Sequence, residues 1–378
     1  MIGRIVISTD ALERNARALR RLCAPAKVAF VLKSNAYGHG LVETARAIEP
    51  LAEKFCVYSI DEAIELRDAD VQCGIFVMGP VESADLEEAL SRRLEIALWD
   101  TGAYLRAAAR TAASRHTRIP VHVKINTGVA RLGLEPGEAA DAIEDYARMP
   151  ELEIAGIFSH LAAAEELDSP FTELQLERFE NVMAVAQPAL ASRGRAPIRH
   201  IAASAAAMLW PQTRLDMVRT GIALYGLWPS PETKIAMNGA DFDLEPALSM
   251  ISSLVAVRDV DAGTPIGYGA SYHAPKRTRI GVVPLGYADG IPRALSNRGA
   301  FLVNGARCPI VGRVCMNMTM IDLGANGARP GDTVTLLGKD GGERVSADDW
   351  AAWAETINYE IVARLPGELP RLTDSLVG

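Results

Sequence analysis

Cysteine is scarce and unpatterned in this 378-residue chain: five residues, at positions 23, 56, 73, 308 and 315, with no C-x-x-C spacing. An odd, scattered set argues against a disulfide framework or a zinc site and makes a reducing cytoplasm the expected compartment. Long apolar runs are missing too. No uncharged stretch approaches the roughly eighteen residues of a membrane helix, and residues 1–8 are too short an apolar stretch for a signal peptide. Positive charge is not in excess, with 39 Lys and Arg against 47 Asp and Glu and a net charge of −8. The basic footprint of a nucleic-acid binder is therefore absent. There is no internal repeat and no low-complexity tract. At 49% hydrophobic and 23% charged residues, disorder and a coiled coil are both excluded.

The length suits two domains at roughly 100–200 residues each. Over the first 226 residues, short apolar runs alternate with helical patterns. Ser8-Thr9-Asp10 can cap a helix that carries Leu12, Ala16 and Leu19 on one face. Strands are predicted at 27–33, 55–59, 74–78, 95–99, 120–126, 153–160, 199–203 and 215–219. Amphipathic stretches at 61–67, 84–92, 101–113, 136–148 and 172–191 separate them. Eight strands with intervening helices predict an α/β fold, a (β/α)8 TIM-type barrel, near the usual ~250 residues. A doubly wound sheet is the alternative, because strand count does not prove closure. Past 228–243, which is rich in Pro, Asn and Gly, β-branched runs follow at 251–257, 279–284, 301–303, 310–314, 318–323 and 333–337. Asn304-Gly305 and Asp340-Gly341 read as hairpin turns, and Ser346 caps one closing helix at 347–356. The expected division is a barrel over 1–235 and a mostly β domain over 236–378.

Active sites of such barrels are assembled at the C-terminal ends of the strands. Lys33 leaves the first strand through Phe30-Val31-Leu32, an apolar stem. Desolvation there disfavours the ammonium, freeing a neutral amine for Schiff-base chemistry.

Val31-Leu32-Lys33-Ser34-Asn35-Ala36-Tyr37-Gly38-His39-Gly40 resembles the pyridoxal phosphate attachment motif of alanine racemases. Further matches follow in the family's order: Lys124-Ile125-Asn126-Thr127-Gly128, Arg131-Leu132-Gly133, Gly156 to His160, Ala203-Ser204-Ala205, Val218 to Gly226, Gly267-Tyr268-Gly269, Gly286 to Gly290, Val311 to Met316, and Ile357-Asn358-Tyr359-Glu360. Each alone is weak; the ordered set is specific and spans nearly the whole chain. The resemblance implies a barrel plus a β domain, a pyridoxal 5'-phosphate cofactor, a small amino-acid substrate and a homodimer with active sites shared between subunits. It implies no membrane or nucleic-acid partner and no metal.

The resemblance also implies roles. Lys33 and Tyr268 are the two catalytic bases. Racemisation takes the α-proton from one face of a planar carbanion and returns one to the other, which needs a group on each side. An unperturbed tyrosine, with a pKa near 10, is a poor base at neutral pH, and the family places His160 and Arg219 beside it. Arg219 would face the pyridine nitrogen, donating a hydrogen bond without surrendering a proton. The ring then stays a weak electron sink, favouring return of the proton to Cα over transamination. Ser204, Gly221 and Ile222, in the loops after strands seven and eight, would hold the phosphate with the hydroxyls of Tyr37 and Tyr359. Arg131 would bind the substrate carboxylate and, in part, the cofactor's phenolic oxygen, alongside the backbone N–H of Met316, and Lys124 matches a lysine that some members carry as a carbamate. Tyr287, Arg293 and Arg313 match an entryway, with Glu165 and Glu166 replacing or shifting its acidic members.

The chain departs from the pattern at Asn126, Ala203 and Asn317, where many relatives carry Asp, Asn and Asp. Asn317 leaves a racemase of broader amino-acid range as the alternative to an alanine enzyme. A fold-related decarboxylase is disfavoured by Arg219, and a non-catalytic pyridoxal phosphate-binding protein by Tyr268 and the β domain.

Overall fold

A computed structural model of the chain describes residues 3–191 and 196–374. After a first strand, β1 (Gly3–Ile7), come eight strands that pair in parallel. They are β2 (Lys27–Val31), β3 (Lys54–Val57), β4 (Gly74–Val77), β5 (Leu94–Leu98), β6 (Ile119–Lys124), β7 (Leu152–Phe158), β8 (Ile198–His200) and β9 (Met217–Thr220). Their order is β8-β7-β6-β5-β4-β3-β2-β9, so the first of the eight pairs with the last. At the seam Asp216 N–H donates to Arg199 O at 3.2 Å and Arg219 N–H to Ala202 O at 3.0 Å. The barrel is nearly closed, and the doubly wound alternative falls. The strands read as short apolar runs because both faces are covered: all four residues of β3 are buried.

The chain divides into two compact units. The barrel unit holds residues 11–34 and 44–245; the other holds, among the described residues, 3–10, 35–43 and 246–374. This second unit is mostly β: β10 (Leu248–Ser253), β11 (Ala256–Val260), β12 (Pro265–Ile266), β13 (Tyr272–His273), β14 (Thr278–Val283), β15 (Ala300–Val303), β16 (Ala306–Pro309), β17 (Thr319–Asp322), β18 (Thr333–Asp340), β19 (Glu343–Val345) and β20 (Arg371–Thr373). Its main sheet runs β16-β15-β18-β10-β1-β20, with β19 on β18. β1 lies antiparallel to β10 and parallel to β20. Its alternate residues Gly3, Ile5 and Ile7 are buried, the period-two pattern of a strand with one covered face. The contiguous division at 235/236 does not anticipate this, because the partners of β1 lie more than 240 residues away in the chain.

Other details differ from expectation. Residues 251–257 straddle two strands, β10 and β11. Residues 310–314 form no strand beyond an isolated bridge at Ile310, since Gly312 takes φ 77°. The Asn304-Gly305 turn forms as expected, with φ 50° and 72° at its two centres and Val303 paired to Ala306. Ser346 caps the helix Ala347–Ala354 through a capping box with Asp349. A second helix, Asn358–Ala363, follows and carries Tyr359. Among the described residues no helix is long and apolar enough to cross a membrane.

Candidate active site

Lys33 stands two residues past the end of β2, whose last carbonyl, Val31 O, accepts from the buried Tyr225 hydroxyl at 2.8 Å. Beyond it the backbone winds the wrong way. Ser34, Asn35, Ala36 and Tyr37 all have φ between 51° and 57°, a left-handed helical turn built without a glycine. L-residues resist that conformation by roughly 1–2 kcal/mol each, so the surroundings must impose it. Glu62 accepts from Ser34 N–H at 2.5 Å and from Tyr58 N–H at 2.9 Å. Further along, Asn35 Oδ1 accepts from Leu41 N–H at 2.8 Å, and Gly40 N–H donates to Asn35 O at 3.1 Å. The buried His39 holds Tyr37 O through Nδ1 at 2.9 Å. Tyr37 in turn packs against Tyr359, ring centroids 6.3 Å apart.

The barrel mouth gathers positive charge. Burial lowers the pKa of Lys33, Arg131 lowers it further, and Glu62 opposes. Lys124, buried at the end of β6 with Nζ 5.5 Å from the Phe158 ring, is lowered to about 8 by burial, then by Arg131, Arg219 and Lys33. His160 is lowered to about 3 by burial and by the same four cations, so it is neutral. A small cleft is lined by Lys124, Asn126, Arg131 and His160. Such a set calls for an anionic guest. Among the described residues no cluster of three or more His, Cys, Asp or Glu could hold a metal ion.

Arg219, at 3% exposure, has most of its donors committed. Nη1 donates to His200 O at 2.9 Å and to His200 Nδ1 at 2.7 Å. Nη2 donates to Ser159 O at 2.7 Å and Ile201 O at 3.2 Å, with His160 Nδ1 at 3.5 Å. Of the five guanidinium donors, only Nε–H has no partner among the described residues. Nearby, Ser204 Oγ accepts from Gly221 N–H at 3.0 Å, joining the loops after β8 and β9.

Loops around these groups are tied down by polar side chains. Asn126 Oδ1 accepts from Ala130 N–H at 2.9 Å while its Nδ2 donates to Glu135 at 2.7 Å, shaping the loop that presents the exposed Arg131. An aspartate could not make the second bond, which accounts for the amide here. Gln175 donates to His160 O at 3.0 Å and to Thr127 Oγ1 at 3.1 Å. Burial and the neighbouring Glu232 and Glu166 raise the pKa of Glu165.

In the β unit, Tyr268 is 72% exposed on a tight turn, between Gly267 and Gly269, both at φ 72°. A Cβ on Gly269 would lie 3.0 Å from the Arg313 guanidinium, and one on Gly267 3.3 Å from Arg313 N, so the two loops pack back to back. Tyr287 N–H donates to Cys315 O and Ala288 N–H to Met316 O, both at 2.9 Å, while Met316 N–H has no acceptor among the described residues. Asn317 Nδ2 lies 3.4 Å from Asp289 Oδ2; an aspartate there would set two carboxylates side by side. Arg293 opens a short 3-10 turn and is exposed.

Two family models match in tandem: "Alanine racemase, N-terminal domain" over residues 7–229 and "Alanine racemase, C-terminal domain" over 247–373. The chain belongs to the alanine racemase family. An alanine racemase of Symbiobacterium thermophilum is 39% identical over 97% of this chain and 95% of its own length. The crystal structure of alanine racemase from D-cycloserine-producing Streptomyces lavendulae superposes with a TM-score of 0.91 at 35% identity, covering 99% of this chain and 97% of that one. That of the E. faecalis alanine racemase gives 0.90 at 37%, covering 99% and 98%.

Within this family member, Lys33, Lys124, Arg131, His160 and Arg219 converge in the barrel unit, and Ser204 meets Gly221. In the other unit Tyr37 meets Tyr359, and the glycines flanking Tyr268 pack on Arg313. Sequence reasoning missed Glu62 and Gln175, which hold the loops, and His122, His200, Glu95 and Lys54, which lie beneath Arg219. One signal was there to read: His122 and Lys124 are two apart on a strand and therefore share its face.

Proposed function

We propose that the protein is a pyridoxal phosphate-dependent racemase interconverting L- and D-alanine, acting as a homodimer in which each active site draws on both subunits. One observation supports this reading: Arg219, assigned the pyridine-facing position, is a buried arginine with a single donor, Nε–H, left to give. The cofactor, when bound, supplies an electron sink conjugated to the substrate's Cα. Its phosphate and phenolic oxygen and the substrate carboxylate suit the cationic mouth formed by Lys33, Lys124, Arg131 and Arg219. Ser204, Gly221 and Ile222, with the hydroxyls of Tyr37 and Tyr359, would hold the phosphate.

The remaining chemistry belongs to side chains. Lys33 is held toward its neutral form by burial and by Arg131, so its amine can accept a proton at one face of Cα. Tyr268 serves the opposite face, and its exposure suits a group that reaches a partner subunit. His160, kept neutral and 3.5 Å from Arg219 Nη2, is assigned the link between that arginine and the tyrosine. Arg131 and Met316 N–H orient the substrate carboxylate. Tyr287, Arg293 and Arg313 border the approach. Lys124, at about 8, has enough neutral amine near neutral pH to take up carbon dioxide as a carbamate, which would turn a repelling cation into an anion beside Arg131.

A panel of L-amino acids tests the assignment, with alanine expected to turn over fastest. Faster turnover of serine, lysine or arginine would give the enzyme the broader specificity that Asn317, neutral beside Asp289, favours. Borohydride reduction of the holoenzyme should lock the cofactor onto Lys33; a label elsewhere would overturn the attachment.

A further inference from the structure

Beneath Arg219 runs a file of polar groups that the chemistry above leaves unused. Arg219 Nη1 lies 2.7 Å from His200 Nδ1, His200 Nε2 lies 2.7 Å from His122 Nδ1, and His122 Nε2 lies 2.5 Å from Glu95 Oε2. Lys54 pairs with that same carboxylate oxygen. Both imidazoles are fully buried. His122 stacks on Phe76 at 4.2 Å and 25°, and His200 on Phe158 at 5.1 Å and 4°, so neither ring is free to turn. The strand beside them makes room: a Cβ on Gly156 would sit 2.2 Å from His122 Nδ1.

One proton arrangement satisfies every bond. A guanidinium only donates, so His200 Nδ1 accepts and its proton sits on Nε2. That proton is donated to His122 Nδ1, which puts the second ring's proton on Nε2, facing the carboxylate. All three bonds then run in one direction, from Arg219 to Glu95. Burial lowers the pKa of both imidazoles, keeping them neutral. Burial also resists ionisation of Glu95, but the hydrogen bond donated by His122 and the charge and hydrogen bond of Lys54 hold its carboxyl below the usual carboxylate range.

We propose that Glu95, with Lys54 beside it, is a positioning residue for Arg219: its carboxylate fixes both histidines as Nε2–H tautomers and so keeps an acceptor lone pair on the guanidinium. Deprived of that terminus, the rings can adopt the reversed tautomers. His200 Nδ1–H would then oppose Arg219 Nη1–H, and the guanidinium would turn, misdirecting Nε–H. The inference rests on the reading of Arg219 as the ring-facing group, and it concerns residues at the opposite end of the barrel strands from Lys33.

Nitrogen-15 spectra of holoenzyme labelled at histidine read the tautomers directly. His122 and His200 should each show one protonated nitrogen, Nε2; a cationic ring or an Nδ1–H tautomer in the wild type overturns the proposal. The double variant Lys54→Met/Glu95→Leu removes the buried pair without stranding a charge, an exchange that folded proteins often tolerate. It should lose the tautomer signature and lower kcat by about 10- to 100-fold with KM for alanine little changed, as expected for a misaligned group. Lys54→Met/Glu95→Gln retains an oxygen acceptor, likewise strands no charge, and should stay near wild type in both readouts. If the Lys54→Met/Glu95→Leu variant keeps the wild-type spectrum and kcat, Glu95 does not position Arg219. A wild type with these tautomers but no racemase activity would sink the functional reading and leave the hydrogen-bond order standing.

Discussion

At the scale of single residues, the site is a set of groups pushed from their ordinary protonation by burial and by each other. Tyr268→Phe tests the two-sided arrangement most sharply. With one base per face, the variant should lose exchange of the α-proton of L-alanine into deuterated water far more than that of D-alanine; equal losses would contradict the assignment. Lys124 offers a second test, in which carbon-13 bicarbonate should give a carbamate signal that Lys124→Gln removes. Lys33, Tyr268, Arg131 and Arg219 could be singled out because each sits in a short run of distinctive residues, and of these Lys33, Arg131 and Arg219 converge in the barrel unit. Glu95 and Lys54 were not, since an acidic and a basic residue 41 positions apart on separate strands carry no local sign that a histidine will join them.

Among secondary-structure elements, Gly156 and His39 show how much local backbone serves side chains elsewhere. Gly156 on β7 has ordinary backbone geometry, yet its missing Cβ is the space His122 occupies. Gly156→Ala should cost about 1–3 kcal/mol in chemical denaturation, the usual range for overpacking, and should lower kcat with it. His39 is buried with its pKa lowered from 6.5 to about 4, chiefly by desolvation. The unfolded chain therefore binds a proton there that the native state does not. Stability falls as pH drops through the window from about 6.5 to about 4 and levels off below it. The full effect is about 3 kcal/mol, and His39→Gln, which can still donate to Tyr37 O, should flatten the urea midpoint across that window relative to wild type. All eight barrel strands were readable from their apolar runs. The run at 310–314 misled because β-branched composition outweighed Gly312, whose positive φ breaks the extended chain. The helix Asn358–Ala363 escaped notice because, at six residues, it is shorter than two turns.

For the whole molecule, the alternation of strand and helix announced the barrel, whereas the membership of β1 was hidden. A strand of five residues sandwiched between β10 and β20 depends on partners from the far end of the chain, and no local pattern reports a pairing of that range. Such distant pairing also makes the β unit slow to assemble relative to the barrel's neighbouring strands. The proposed sharing of active sites between subunits carries a further prediction. Specific activity should fall on dilution in step with dissociation of the dimer measured by sedimentation, and a monomer with full activity would refute the shared site.

The left-handed turn after Lys33 has one more consequence. Ser34 through Tyr37 occupy backbone angles that suit D-residues better than the L-residues they are. Chemical synthesis of that short segment with inverted stereocentres would relax the main chain there, whereas the same inversion in any strand of the barrel would wreck it. A protein whose proposed task is to exchange the hands of alanine thus carries, beside its own reactive lysine, a few peptide units shaped for the mirror image.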